Sequence, residues 1–305
     1  MKREYALLLQ KYFETRLELI DQELKNALSL ENKYATELKK AMYEAVIPGG
    51  KRWRPLLLLS MFEMLTGFKK HRAFPDAVKS AVAIELLHNG AIVHDDLPSV
   101  MNRTQRRAQP ALHIKYGNAI AILAADALYS LAYEIISELK NPEQALEAIR
   151  LISNATKSYG MIGGQVVALS SRHKVMKINT LNYIDRKKVG SLLQAAADIA
   201  CLLGKADEET HQVMRAYALN LGIAYQMIED IEADYSRGSE GLDDEYIPVS
   251  KASYTALLGF YKARKTVENM LADAVKMLKP YPKNSLLSEL RIPVKLSFWD
   301  MALAF

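Results

Sequence analysis

Cysteine is almost absent from this 305-residue chain: the single one, Cys201, lies in the apolar run AAADIACLLG. No internal disulfide can form, and a reducing compartment is expected. Glycine and proline are also sparse, with 14 and 10 copies, and each break between the long stretches carries one or both. No basic run occurs, so the net charge of +5 suits anionic small molecules or anionic lipid surfaces and gives no argument for nucleic acid. The opening MKREYALLLQKYFETR breaks its short apolar run with charge and reads as neither a signal peptide nor a membrane span. A cytoplasmic protein with at most peripheral membrane contact is expected.

What is present is helical periodicity. Residues 19 to 47, LIDQELKNALSLENKYATELKKAMYEAVI, place apolar side chains at three-and-four spacing. Residues 77 to 94 and 118 to 137 are apolar nearly all round, as helices at the centre of a bundle should be. Further helices are expected over 142 to 170, 178 to 203, 207 to 235 and 253 to 278. Breaks fall at PGGKRWRP (48–55), TGFKKHRAFPD (66–76), RGSEGLDDEYIP (237–248) and KPYPKN (279–284). There is no strand alternation bounded by hairpin turns and no solenoid repeat. One all-α domain spanning residues 1–305 is the economical expectation. The apolar tail LLSELRIPVKLSFWDMALAF suits core packing, a partner chain or a membrane surface.

Chemistry concentrates in GAIVHDDLPSVMNRTQRRAQP, residues 90 to 110. Adjacent carboxylates such as Asp95 and Asp96 repel, so burying both is costly unless a cation joins them. Mg²⁺ fits, because it takes one or two carboxylates and completes its octahedron with water and phosphate oxygens. Arg106 and Arg107 match phosphate geometry with their guanidinium forks. The set suggests diphosphate chemistry; taken alone, it slightly better describes a charged, solvated helix end. His88 lies seven residues before Asp95, on the same face of a continuous helix. A lone histidine in an apolar helix is more often a core residue, and this register brings the functional reading level with it.

Seven segments, in order from about residue 40 to 265, resemble the all-trans isoprenyl diphosphate synthases, or polyprenyl synthetases. They are GGKRWRP, ELLHNGAIVHDDLPSVMN with RRAQPALH, AIAILAADAL, GMIGGQVVAL, KVGSLLQAA, LGIAYQMIEDI and SKASYTALLGFYKAR. The resemblance implies a helical bundle around a deep central cavity, and usually a homodimer. It implies Mg²⁺ held by aspartates and an allylic diphosphate whose ionised carbon alkylates isopentenyl diphosphate. Diphosphate leaves as a highly charged group that cations must stabilise.

Carried over by resemblance, Lys51, Arg54, His88 and Arg107 would hold isopentenyl diphosphate. Arg106, Lys188, Gln226 and Lys251 would contact the allylic diphosphate, and Asp95, Asp96, Glu229 and Asp230 would hold metal. Asp95, Asp96, Arg106, Lys188 and Gln226 would form the catalytic set. Lys188 and Lys251 also suit ordinary surface positions.

The chain departs from the family where metal is concerned. Met101 and Ala233 replace the third aspartates of the two motifs, Glu229 replaces an aspartate, Val189 replaces a threonine after Lys188, and Ala168 replaces an aspartate after the GGQ turn. A Gly-Lys pair expected after the second motif is missing. Asp234, four residues after Asp230, is the substitute ligand the spacing offers, and Glu232 a poorer one. Weaker metal affinity than in an intact member is expected.

Three functions follow. The first is an active, divergent trans-prenyltransferase. The second is a non-catalytic paralogue that binds isoprenoid diphosphates or serves an active partner in a heteromer. The third is a class I terpene synthase, which the retained isopentenyl diphosphate cradle argues against. In the family, residues one turn before the first aspartate limit product length. Here they are Gly90 and Ala91, small enough for products beyond fifteen carbons, although helix-to-helix packing explains small residues nearly as well. Leu86 and Leu87 are the alternative floor.

Overall fold

The computed structural model describes residues 2–29, 33–47, 49–67, 71–171, 174–238 and 253–281. These fold into helices α1 (Lys2–Leu28), α2 (Thr36–Val46), α3 (Trp53–Thr66), α4 (Phe74–Asp96), α5 (Leu112–Ser137), α6 (Pro142–Thr156), α7 (Met161–Ser171), α8 (Ile178–Asp185), α9 (Ser191–Gly204), α10 (Glu208–Gly238), α11 (Tyr254–Leu258) and α12 (Phe260–Met277). A two-stranded hairpin joins α4 to α5, with β1 (Gln105–Arg106) antiparallel to β2 (Gln109–Pro110). The all-α expectation holds.

The helices group into two compact units. Residues 1–151 and 202–205 form one, and residues 152–201 and 206–305 the other. In the first, α3 and α4 are central. Leu57, Leu58, Leu59, Met61 and Phe62 of α3 are wholly buried, as are Ala81, Ala83, Ile84, Leu86 and Leu87 of α4. Each such leucine contributes on the order of 2 kcal/mol when removed from water. Pro75 opens α4, where its missing N–H costs nothing. Helix α5 lies along α4 and α2, burying Ala121, Ala124, Ala125 and Ala132. It is the one helix among the described residues long and apolar enough to cross a membrane by length and composition. In the second unit α10 carries α11 and α12, while α7 and α8 pack on the turn that follows α8.

Several long periodic stretches are subdivided. The stretch 19–47 breaks into α1 and α2, and 142–170 breaks at the turn over residues 157–160. Gly117, at φ 79° and ψ 164°, kinks the start of α5, so regular helix begins where the apolar pattern did, at 118. Gly259, at φ 79°, separates α11 from α12. The stretch 178–203 is interrupted by a five-residue π turn, Arg186–Gly190. Such widened turns commonly mark functional positions, and this one contains Lys188.

Candidate active site

In the first unit the site begins at Gly49 and Gly50, whose φ values of 137° and 130° belong to backbone that glycine alone adopts easily. Space matters as much as conformation there. A Cβ on Gly50 would come within 3.0 Å of Arg107 Nη2. Lys51 is exposed beyond them, and Arg52, itself at φ 47°, starts α3.

Arg54, in the first turn of α3, places Nη1 3.1 Å from His88 Nε2 on α4. A guanidinium only donates, so Nε2 accepts and the ring proton resides on Nδ1. Burial, followed by the positive charges of Arg54, Arg107, Arg106 and Arg52, holds His88 well below its ordinary value of 6.5. Arg52 in this group is paired with Glu85 and Arg106 with Asp96, while the neutral histidine adds no charge of its own beside Arg54 and Arg107, an arrangement suited to an anion.

Arg106 and Arg107 come from the hairpin. Gln105 pairs with Pro110 and Arg106 with Gln109, leaving Arg107 and Ala108 as the two turn residues at φ 52° and 59°. Positive φ at both positions is the type I′ geometry that normally uses asparagine or glycine. The sequence RRAQ carries no such signal, so the turn was not foreseen. Arg107 is tied down at both ends of its guanidinium: Nη1 donates to the Gly49 carbonyl and Nη2 to Asn89 Oδ1 at 3.2 Å.

Asp95 and Asp96 end α4 and differ in environment. Asp95 is half-buried, whereas Asp96 is 3% exposed and accepts both Nε of Arg106, at 2.9 Å, and its Nη2. The sequence assigned Asp96 to metal and Arg106 to diphosphate, and the structure pairs them with each other. The chain then folds back, with Met101 N donating to the Asp95 carbonyl and Arg103 N to that of Asp96. Met101 is half-buried.

Gly90 is buried and Ala91 half-buried. A Cβ on Gly90 would meet the Ala125 carbonyl oxygen at 3.3 Å and the Tyr129 ring at 3.4 Å. The missing side chain at 90 therefore serves the close approach of α4 to α5.

The second unit holds the other predicted residues. Asp230 Oδ1 accepts from Gln226 Nε2 at 3.2 Å, one turn earlier on α10, and its Oδ2 accepts from Tyr254 N at 3.3 Å. Glu229 is exposed and accepts from the Tyr225 hydroxyl. Lys188 is half-buried in the π turn, where a Cβ on Gly164 would approach its backbone nitrogen to 2.7 Å. Asp185, just before that turn, is pushed up to about 7 by burial and by the charge of Asp230, with Tyr254 and Lys188 opposing. Val189 is buried. Ala233 is exposed on α10, while the side chain of Asp234 and all of Lys251 lie outside the described residues.

Sequence reasoning missed Asn89, Glu85 and Arg52, which surround the arginine pocket, and Asp185 and Tyr254, which flank Asp230. The first group did carry a signal, since Glu85 and Asn89 are polar, one turn apart, in an otherwise apolar helix. Gln165 was missed too. Both its amide atoms are buried without a hydrogen-bond partner, and it sits within the quoted GMIGGQVVAL segment.

A dimethylallyltranstransferase of Fischerella ambigua is 33% identical over 288 residues, covering 91% of this chain and 80% of that protein. A farnesyl diphosphate synthase of Geobacillus stearothermophilus is 34% identical over 253 residues, covering 80% and 82%. Among solved structures, a FPP/GFPP synthase from Zymomonas mobilis superposes with a TM-score of 0.83 at 28% identity, over 95% of this chain and 99% of that one. The sequence profile of the polyprenyl synthetases matches residues 35–277. With its helices, its arginine pocket and both acidic motifs inside that match, the chain belongs to the polyprenyl synthetase family.

Proposed function

We propose that the protein is a trans-prenyltransferase that joins an allylic diphosphate to isopentenyl diphosphate in isoprenoid biosynthesis. The observation that carries this reading is the neutral His88 set among Arg52, Arg54, Arg106 and Arg107. In that pocket Arg54 and Arg107 meet a histidine that carries no charge, a donor set suited to diphosphate, while Arg52 and Arg106 are held by Glu85 and Asp96.

Lys51, Arg54, His88 and Arg107 bind isopentenyl diphosphate. His88 acts in its neutral form, accepting from Arg54 and so orienting that guanidinium. Arg106, Lys188, Gln226 and Lys251 bind the allylic diphosphate. In the reaction the allylic carbon–oxygen bond breaks, diphosphate departs, a carbon–carbon bond forms with the double bond of isopentenyl diphosphate, and a proton is lost. The cationic side chains stabilise charge as it accumulates on the departing oxygens. Ala91 is the residue we assign to product length, with Gly90 setting how closely α4 approaches α5.

Mg²⁺ is the metal we assign. Among the described residues no three His, Cys, Asp or Glu side chains form a group able to hold a metal by themselves. A Mg²⁺ shared with diphosphate asks less of the protein: one or two carboxylates, with water and phosphate oxygens completing the octahedron. Asp95 and Asp96 in the first unit, and Glu229 and Asp230 in the second, are the carboxylates we assign to that role. When bound, the metal would neutralise charge on the leaving diphosphate.

The same reading treats residues 1–305 as one functional domain in the cytoplasm, supported by a single family match over residues 35–277 and by the single buried cysteine. It takes the working form to be a homodimer, or a heteromer with an active relative. The exposed Ile114, Ile122 and Leu123 of α5 support an interface there.

The test is product formation by purified protein with Mg²⁺, labelled isopentenyl diphosphate and, in turn, dimethylallyl, geranyl, farnesyl and geranylgeranyl diphosphates. Labelled chain-extended product is expected. Unlabelled product formed without isopentenyl diphosphate, or no product from folded, ligand-binding protein, overturns the reading.

A further inference from the structure

Arg107 occupies a strained turn of a two-residue hairpin, which by itself fixes no guanidinium in place. Besides the Gly49 carbonyl on Nη1, its second anchor, on Nη2, lies in the core. Asn89, wholly buried on α4, donates from Nδ2 to the Glu85 carbonyl at 2.8 Å and to Glu85 Oε1 at 3.1 Å. Using both interactions on the nitrogen side orients the amide, so that Oδ1 faces Arg107 Nη2. Glu85 is in turn held by Arg52, whose Nη1 donates to Oε1 at 2.8 Å. Arg52 also donates to Asp21 Oδ1 at 2.9 Å and to the Val46 carbonyl at 2.6 Å, tying the chain of contacts to α1 and the end of α2. The Glu85 and Arg52 side chains are 2% and 3% exposed.

We propose that Asn89 is a positioning residue for isopentenyl diphosphate binding, the last link of a buried relay that runs Asp21, Arg52, Glu85, Asn89 and sets the direction of Arg107. This rests on the reading of Arg107 as a ligand of that diphosphate. Glu85 fixes which way the amide points, and Arg52 fixes Glu85. The relay lets a residue in an exposed hairpin present its charge as rigidly as one on a core helix.

Asn89 is the clean probe, because removing Glu85 or Arg52 leaves an uncompensated buried charge and threatens the fold. Binding of isopentenyl diphosphate and of geranyl diphosphate is measured by calorimetry for wild type, Asn89→Ala, Arg107→Ala and the double variant, with a thermal melt for each. Asn89→Ala should weaken isopentenyl diphosphate binding about tenfold, the scale of one hydrogen bond to a charged group. Geranyl diphosphate binding should stay within about twofold. In the double variant the loss should equal that of Arg107→Ala alone, since a residue acting through another adds nothing once its target is gone. Should Asn89→Ala not fold, Asn89→Ser keeps a hydroxyl for Glu85, loses the reach to Arg107, and carries the same expectation.

Additive losses, or equal losses for both ligands, overturn the relay. A loss from Arg107→Ala with none from Asn89→Ala overturns the relay alone. No loss from Arg107→Ala overturns the relay together with the assignment of Arg107.

Discussion

The Asp96 carboxylate is bonded in bidentate fashion by the Arg106 guanidinium, ten residues further along the chain, and is nearly closed to solvent. Its neighbour Asp95 is half-buried at the same helix end. One pair of adjacent aspartates thus divides its work. Asp96 holds the hairpin that presents the two arginines, while Asp95 is the acid we assign to the metal-bound diphosphate. Asp96→Asn should therefore lower stability by about 2 kcal/mol, the worth of a charged hydrogen-bond pair with a buried partner. Asp95→Asn should change stability by less than about 0.5 kcal/mol yet abolish turnover. Urea unfolding and a radiolabel assay on the two variants check this.

Met101 occupies the place of a third acid, and its backbone nitrogen already bonds to the Asp95 carbonyl. An aspartate there adds negative charge beside Asp95 without rebuilding the loop. Met101→Asp should raise turnover or lower the Mg²⁺ concentration needed for half-maximal rate. A Mg²⁺ titration of both proteins reads the effect. If neither quantity moves, the missing acid was never limiting.

Asp185 makes a pH prediction. Its carboxyl is raised from 3.8 to about 7 in the folded protein, so between these values the folded state binds more protons than the unfolded chain. The stability linked to this group is fully present below about pH 4 and is lost as pH rises through 7. Asparagine mimics the protonated acid at every pH. Asp185→Asn should therefore raise Tm at pH 8, leave it nearly unchanged at pH 4, and flatten the decline between them. Calorimetric melts across that range provide the check.

Gly90 and Ala91 should separate in their effects. A phenylalanine at 90 drives into the Ala125 carbonyl and the Tyr129 ring, so Gly90→Phe should destabilise by about 3 kcal/mol through overpacking. Ala91 is half-buried, and Ala91→Phe should shorten the product while leaving stability within about 1 kcal/mol. Chromatography of the hydrolysed products, alongside urea midpoints, tests both.

Sequence alone determined the all-α class, because apolar three-and-four spacing and breaks at proline are local properties that each helix writes into itself. It also determined the family, because seven motifs in order form a linear pattern. It marked His88 and Arg107 as candidates by register and by residue type. What the residues do to one another was decided in three dimensions. Asp96 was assigned to metal and Arg106 to diphosphate, and only the fold shows that the two are paired, since a guanidinium brought within reach by a hairpin satisfies a buried carboxylate directly. Gly90 stood open to two readings, room for product or helix packing, and only the fold shows the Ala125 carbonyl and the Tyr129 ring against it, because emptiness at one position says nothing of what packs opposite. Glu85 and Asn89 were passed over as helix residues, and their role exists only because α3, α4 and the hairpin converge there. The Arg107 turn lacked its usual asparagine or glycine, and long-range bonds to Gly49 and Asn89 hold a conformation that local preference disfavours. Periodicity and composition act along the chain, whereas pairing and orientation belong to contacts between residues far apart in sequence, and only the folded structure supplies those.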